Sequence, residues 1–392
     1  MSDPKLRLGI AGLGRAFQLM LPSFKADPRI ALIAGADPRE AVRDIFAREF
    51  SAPAYETVEA LCADPKVDAV YIATPHQYHA AHATMAAAHG KHVLVEKPMA
   101  LNLADCAAMV EAARKAGVHL VIGHSHSFDR PIARVREIIA SGEIGAVRMI
   151  TAMNFTDFLY RPRRPEELDT AQGGGVFFNQ APHQIDIVRL LGGGQVRSVR
   201  AGAGAWDRSR PTEGAYGAFL TFADGALATV SYSGYAHFDS DEWCDNIGEG
   251  GRPKDLAQYG GARRLLAGFG DAQAETAARH RRGDASISSS ADFHEHFGVV
   301  IVSCEHADLR PTPKGVMIYG DGEKRFEALP PPAVPRGAVI DELCAAVFAG
   351  KSPLHDGAWG LATMEACLAM LQSAQEDREI LLQHQIGVPA RA

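Results

Sequence analysis

Glu96-Lys97-Pro98 stands directly after the apolar run His92-Val93-Leu94-Val95. A short β-branched run between turn signals reads as a buried parallel strand, and in such sheets ligands bind at the carboxyl ends of the strands. A lysine there can hold a negative charge or, with its pKa lowered by burial, take a proton from a substrate hydroxyl. Pro98 confines residue 97 to extended backbone and so aims the amine. A solvated lysine at a strand end is the plainer reading of a lone Lys-Pro. The chemistry-bearing residues elsewhere in the chain argue against that reading.

A second cluster follows Gly173-Gly174-Gly175. If the next stretch is helical, Asn179, His183 and Asp186 are spaced by four and three and share one face. An imidazole, with its ordinary pKa of ~6.5, can take a proton at neutral pH, whereas Asn179 can only hydrogen-bond. A satisfied structural histidine is the alternative for His183. His124 and His126 are two apart, so on an extended chain they point to opposite sides and are not expected to share a metal. His126 could reach a substrate or fill a plain hydrogen-bonding role. Arg161-Pro162-Arg163-Arg164-Pro165 lies just ahead of the glycines, and paired guanidiniums suit carboxylates through bidentate, charge-assisted bonds. A solvated basic loop is the default for such a run, yet its position favours an acidic substrate. With no H-x-x-x-H and no Cys/His cluster, no metal is expected.

The elements that must carry these residues can be read in order. Leu6 to Ala11 is a strand-like run, followed by Gly12-Leu13-Gly14-Arg15-Ala16-Phe17 and an apolar helical pattern, the context a dinucleotide-binding turn requires. Gly12 permits the tight turn, and Gly14 lets backbone N–H groups approach a pyrophosphate at the helix N-terminus. Phe17 replaces the third glycine of the pattern, which argues against close helix-to-strand packing there. Ile30 to Ala36 ends at Asp37, 25 residues past Gly12, where a carboxylate accepts from ribose hydroxyls and repels a 2′-phosphate, favouring NAD over NADP. Arg39 could soften that preference. Ala69 to Ala73 ends in another carboxyl-end loop, Thr74-Pro75-His76-Gln77-Tyr78-His79.

Residues 1–123 therefore read as an α/β, doubly wound parallel domain of Rossmann type. Residues 124–392 read as an α+β domain, with Asp224-Gly225 and Asp321-Gly322 marking hairpins of an open, mainly antiparallel sheet. Helices over 337–349 and 357–383 are expected to pack back on the first domain. The polar stretch 238–292 reads as a functional loop or an assembly element.

Of the 392 residues, 47 are acidic and 40 basic, a net charge of -7, which gives no reason to expect nucleic acid or an anionic membrane as a partner. The N-terminus has no apolar segment of signal-peptide length, and no window reaches a membrane span. The six scattered cysteines fit buried reduced thiols and a cytoplasmic location.

Three motifs together, GIAGLGRAF, ATPHQYH and VLVEKPMA, resemble the Gfo/Idh/MocA family of NAD(P)-dependent oxidoreductases. The resemblance implies a Rossmann domain followed by a second domain with an open sheet. It implies NAD as cofactor, held by Gly12, Leu13, Gly14, Arg15, Ala16, Asp37, Thr74, Pro75, His79 and Glu96, the last on the nicotinamide ribose. In the family an acid and a histidine four apart face the nicotinamide; His183 matches the histidine, and Asn179 departs from the acid. Lys97 and His183 are thus the two candidates for the catalytic base. NFTDFLYRPRRPEELDT, GGGVFFNQAPHQID and VVIVSCEHADLRPTPKGVMIYGDG are further similar to the phthalate 4,5-cis-dihydrodiol dehydrogenase branch. That likeness implies oxidation of a carboxylated cis-dihydrodiol to a dihydroxylated aromatic acid, with Arg161, Arg163 and Arg164 holding carboxylates and Asn179 and His126 the diol. The alternatives are a sugar or cyclitol dehydrogenase and a non-catalytic NAD-binding regulator. A homodimer or homotetramer through the second-domain sheet is expected.

Overall fold

The computed structural model describes residues 4–123, 125–284, 291–334 and 336–389, with the side chains of 280–284 left aside. The chain divides into two compact units, one holding the residues up to Gly123 and Val334–Met364, the other Ser125–Arg279, 291–333 and the residues from Glu365 on.

In the first unit, strands β1 (Leu6–Ala11), β2 (Ile30–Ala36), β3 (Ala54–Tyr55), β4 (Ala69–Ile72), β5 (His92–Val95) and β6 (Leu120–Ile122) alternate with helices α1 (Arg15–Ala26), α2 (Glu40–Phe50), α3 (Val58–Ala63), α4 (His79–Ala88) and α5 (Leu103–Ala116). All strand pairs are parallel, in the order β3-β2-β1-β4-β5-β6. The strands are near-continuous apolar runs because both faces are covered: β4 and most of β1 and β5 are buried. Local signals set the helix ends. Thr57 and Asn102 accept from Ala60 N and Asp105 N, and Gly117, at φ +66, closes α5. Phe17, expected to keep α1 off the sheet, is only 2 % exposed and packs against Phe46 and Phe50 of α2, so an aromatic cluster fills the gap a glycine would have closed.

Two later segments complete this unit. Arg29 pairs with Asp341 in the helix Gly337–Ala349, and the Ile122 N–H donates to His355 O beside the β6 edge. The last helix runs Gly357–Glu376, not to residue 383: Asp377 takes φ +51, and Ile380–Leu381 forms a strand instead.

The second unit contains α6 (Arg130–Ser141), β7 (Val147–Phe155), α7 (Gly175–Asn179), α8 (Ala181–Leu191), β8 (Val196–Gly204), β9 (Ala215–Phe222) and β10 (Leu227–Ser233). It continues with α9 (Gly261–Ala267), α10 (Ala272–Asp284), β11 (Val299–Cys304), β12 (Ala307–Thr312), β13 (Gly315–Gly320), β14 (Lys324–Ala328) and, after the two helical segments above, the strand Ile380–Leu381. Among the described residues nine strands form one mixed sheet in which only β10 and β7 pair in parallel. Asp224-Gly225 makes the expected hairpin, with Gly225 at φ +92 and Asp224 accepting from Ala226 N.

Helices α6 and α8 cover one face of this sheet. The opposite face carries exposed Met149, Phe219, Leu227 and Ile301, and the pairing register places Leu227 opposite Met149 and Ile301 opposite Thr151. The stretch 238–292 is not featureless: Ser240 caps Phe155 N, and α9 and α10 fold within it; residues 285–290 lie outside the described residues.

Candidate active site

The carboxyl ends of β1, β2, β4 and β5 converge where the strand order reverses about β1, the place an open parallel sheet offers a ligand. Gly12, at φ +93, brings the turn so close to β4 that a Cβ there would lie 2.7 Å from Ala73 O and 2.9 Å from Thr74 N. Only glycine fits. Gly14 is the N-cap of the twelve-residue α1, no side chain caps that end, and a Cβ on Gly14 would meet nothing within 4 Å. The N-terminal N–H groups of α1, with Leu13, Arg15 and Ala16 around them, thus form an uncapped anion cradle.

Asp37, 5 % exposed, accepts from Leu13 N at 3.0 Å and holds the Arg39 guanidinium in a two-pronged pair. Burial pushes its pKa up, but Arg39 and the two backbone donors outweigh that and keep it below the ordinary carboxylate value. A cradle for a pyrophosphate and a buried, ionised acid one strand away are what a dinucleotide with an unphosphorylated ribose requires. The residues present fit NAD.

Lys97 and Glu96 emerge at the end of β5, Lys97 half-buried and joined to Pro98 by a cis peptide bond. Glu96 accepts a hydrogen bond from the buried Tyr71 hydroxyl, which fixes one carboxylate oxygen. Pro75 and Thr74 line the β4 end, with Thr74 Oγ1 3.0 Å from His82 Nδ1. His79, expected among the cofactor contacts, is fully buried, its two ring nitrogens 2.8 Å from Pro98 O and 2.9 Å from Thr74 O. Its ring ties the β4 loop to the Lys97-Pro98 loop.

In the second unit the expected single helix through Asn179 and His183 is broken. Gln180 leaves helical geometry at φ −120, ending α7, and α8 restarts at Ala181 with Pro182 in its first turn. Asn179 therefore does not stack above His183. Its Nδ2 donates to Gly173 O (3.2 Å) and Gly175 O (2.8 Å) instead, closing the glycine turn. An acid there would set its oxygens against two carbonyl oxygens, which accounts for the amide at this position.

His183 and Asp186 do share a face of α8, and both meet the turn Ser125–Asp129. Asp186 accepts from the hydroxyls of Ser125 and Ser127, which flank His126. The His126 and His183 rings meet edge to face at 4.8 Å between centroids, and Phe297 packs against both at 5.3 and 5.0 Å. Tyr232 stacks beyond Phe297, its plane within 13°. His126 Nδ1 lies 2.7 Å from Asp129 Oδ2, and Glu295 adds a third ligand-type atom within 4.8 Å of these two residues. His124 lies outside the described residues.

The arginine loop differs from expectation. Arg163 is 5 % exposed, its guanidinium 3.6 Å over the Phe158 ring and bonded to Phe158 O; Arg164 pairs with Glu166 and Glu167. Glu167, gripped also by Arg279 at 2.6 Å, is held well below the usual carboxylate range: burial raises its pKa, and the surrounding guanidiniums lower it further. A buried guanidinium needs a partner charge, and Glu167 supplies it to Arg163 at 3.6 Å, so Arg163 is scaffold rather than an open carboxylate receptor, whereas Arg164 is 28 % exposed. Arg161 pairs with Asp157 at 2.9 Å and, less closely, with Glu249 at 3.7 Å.

Sequence reasoning missed Asp129, Phe297 and Tyr71. Asp129 was legible as a possible partner three residues after His126; Phe297 sits in an irregular segment before β11 and carries no local signal.

Comparison with known proteins agrees with this architecture. Residues 6–124 match the model of the oxidoreductase family with an NAD-binding Rossmann fold, and residues 132–253 match the GFO/IDH/MocA C-terminal domain. The chain belongs to the Gfo/Idh/MocA family and is an NAD-binding oxidoreductase. It is 45% identical over 381 residues to a 1-carboxy-3-chloro-3,4-dihydroxycyclohexa-1,5-diene dehydrogenase of Comamonas testosteroni, covering 95% of this chain and 96% of that protein. It is 30% identical over 253 residues to a myo-inositol 2-dehydrogenase of Thermotoga maritima, covering 63% and 74%. A solved structure from Bordetella bronchiseptica RB50 superposes with a TM-score of 0.91 at 44% identity, covering 96% of this chain and all of that one.

Proposed function

We propose that this enzyme oxidises a carboxylated cis-dihydrodiol of a cyclohexadiene ring, of the phthalate 4,5-cis-dihydrodiol type, to a dihydroxylated aromatic acid. The observation that carries the reading is the 45% identity, along essentially the whole length of both chains, to a relative named for a carboxylated cyclohexadiene diol. In the second unit Arg161, 27 % exposed beside Asp157, is the cation assigned to a ring carboxylate in this reading.

When bound, NAD supplies the hydride acceptor. The α1 N-terminus and Asp37 bind it, and Glu96, steadied by Tyr71, holds the nicotinamide ribose. Lys97 or His183 takes the proton of the hydroxyl being oxidised, and His126 holds the diol. Asn179 contributes by shaping the glycine turn. The ketone so formed tautomerises to a catechol, and regained aromaticity drives the reaction forward.

NADH formation across carboxylated and uncarboxylated cis-dihydrodiols, with inositol and aldoses alongside, tests the reading. A carboxylated diol is expected to give the highest kcat/KM; inositol turning over as well would replace this function with a cyclitol dehydrogenase, the reading that the second relative favours. Lys97→Ala is expected to abolish turnover while NAD still binds, and retained turnover would remove Lys97 from the mechanism. The exposed face of the nine-stranded sheet supports assembly with a second copy; Phe219→Lys is expected to lower the mass in light scattering, and an unchanged mass would refute that interface.

A further inference from the structure

Asp129 is the N-cap of α6, where an aspartate ordinarily accepts from the N–H groups of the first turn, yet no side-chain cap bond forms. Pro131 in that first turn has no N–H to offer. The carboxylate turns to the His126 ring instead, at 2.7 Å from Nδ1, with both side chains nine-tenths or more buried. A carboxylate at neutral pH only accepts, so Nδ1 carries the proton and, in the neutral imidazole, Nε2 carries the lone pair. The turn is fixed independently: Asp186 binds the hydroxyls on either side of His126, and those hydroxyls are 2.7 Å from each other.

We propose that Asp129 is a positioning residue that sets the His126 tautomer, so that His126 Nε2 accepts the hydrogen of a substrate hydroxyl, on a turn locked by Asp186. The assignment rests on the proposed diol substrate for its ligand, though not for the tautomer. It gives the second unit an oriented imidazole–carboxylate pair in a chain whose Asn179 offers His183 no carboxylate. The sequence signature is compact: S-H-S-x-D meeting H-x-x-D on α8.

The test uses the full-length protein with NAD bound. In ¹⁵N-histidine-labelled enzyme, with the His126 signal identified by its loss in His126→Gln, the imidazole is expected to be protonated at Nδ1 and unprotonated at Nε2. Asp129→Asn is expected to shift the tautomer and lower kcat/KM for the dihydrodiol roughly 10–100-fold, the range typical of lost partners that orient a functional histidine. NAD affinity should be unchanged, and Asp129→Glu should recover part of the loss. An Nε2-protonated ring in the wild type, or Asp129→Asn turning over like wild type, overturns the proposal. Activity lost in EDTA and restored by Zn²⁺ or Mg²⁺ also overturns it, by making His126, Asp129 and Glu295 metal ligands. If Asp129→Asn does not fold, the wild-type tautomer and Asp129→Glu decide. A wild type inert toward every dihydrodiol defeats the substrate assignment alone, because the tautomer is read without substrate.

Discussion

Gly12 and Gly14 stand two residues apart in one turn, and the structure assigns them opposite consequences for stability with the same consequence for the cofactor. A methyl group on Gly12 lands 2.7–2.9 Å from backbone atoms of Ala73 and Thr74, which no rotamer change can move, on a residue at φ +93. Left-handed backbone costs a side-chain-bearing residue about 1–2 kcal/mol, and overpacking against a fixed wall about 1–3 more. Gly12→Ala should therefore lose about 2–5 kcal/mol, on the order of 10 °C in Tm. Gly14 sits at φ −90 with open space around its would-be Cβ. Gly14→Ala should leave the fold as stable or up to ~1 kcal/mol more so, through the reduced entropy of the unfolded chain.

Both substitutions spoil the cradle, the first by moving the turn and the second by holding the pyrophosphate off the α1 N–H groups. A hundredfold weaker NAD affinity, about 2.7 kcal/mol, is expected of each. Thermal melts with and without NAD separate the two effects, since a ligand at 100 times its Kd raises stability by about 2.7 kcal/mol and that increment should nearly vanish in both variants. Gly14→Ala binding NAD like wild type would refute the placement of the pyrophosphate at α1. Gly12→Ala melting like wild type would refute the crowding argument.

Asn179→Asp should destabilise the glycine turn by about 1–3 kcal/mol and leave kcat no higher, because two carbonyl oxygens lose their donors; chemical denaturation with parallel kinetics checks this. Glu167→Gln should cost about 3 kcal/mol at pH 7 by leaving buried Arg163 short of a counter-charge. Because the folded-state pKa of Glu167 lies below its unfolded value of ~4.3, its contribution is full above that value and is lost as pH falls through the folded pKa. Wild-type stability should thus fall more steeply than that of the variant below pH ~4, and equal slopes would refute the assignment. Asp37→Ser should move the ratio of kcat/KM for NAD over NADP toward NADP by tenfold or more, with Arg39 turned from the lost carboxylate to a 2′-phosphate.

What the sequence disclosed and what it hid divide along a physical line. The first unit was legible because each of its signals is local: Gly12, Asp37, Thr74 and Glu96 each stand at a strand end, and a parallel sheet converts that one-dimensional fact into a shared ligand site. The second unit's chemistry is made by contacts between distant segments. That His126 meets His183, or that Phe297 packs on both, follows from how residues 126, 183 and 297 are brought together by the packing of α8 and the β11 approach, which no periodicity encodes. The helical spacing of Asn179 and His183 was misleading for the same reason, since the break at Gln180 and the carbonyls of the glycine turn decide where that amide points. The arginines show the limit most sharply. A run of three cations beside a predicted site reads as a receptor for anions, but a guanidinium that ends up buried must bring its own carboxylate, and Glu167 lies only four residues from Arg163. An R-x-x-x-E spacing within the same loop was the available signal that the charge is consumed internally. The same spacing recurs at Arg161, which pairs with Asp157 four residues before it and has Glu249 3.7 Å away, so a carboxylate of the proposed substrate would compete with both for that guanidinium.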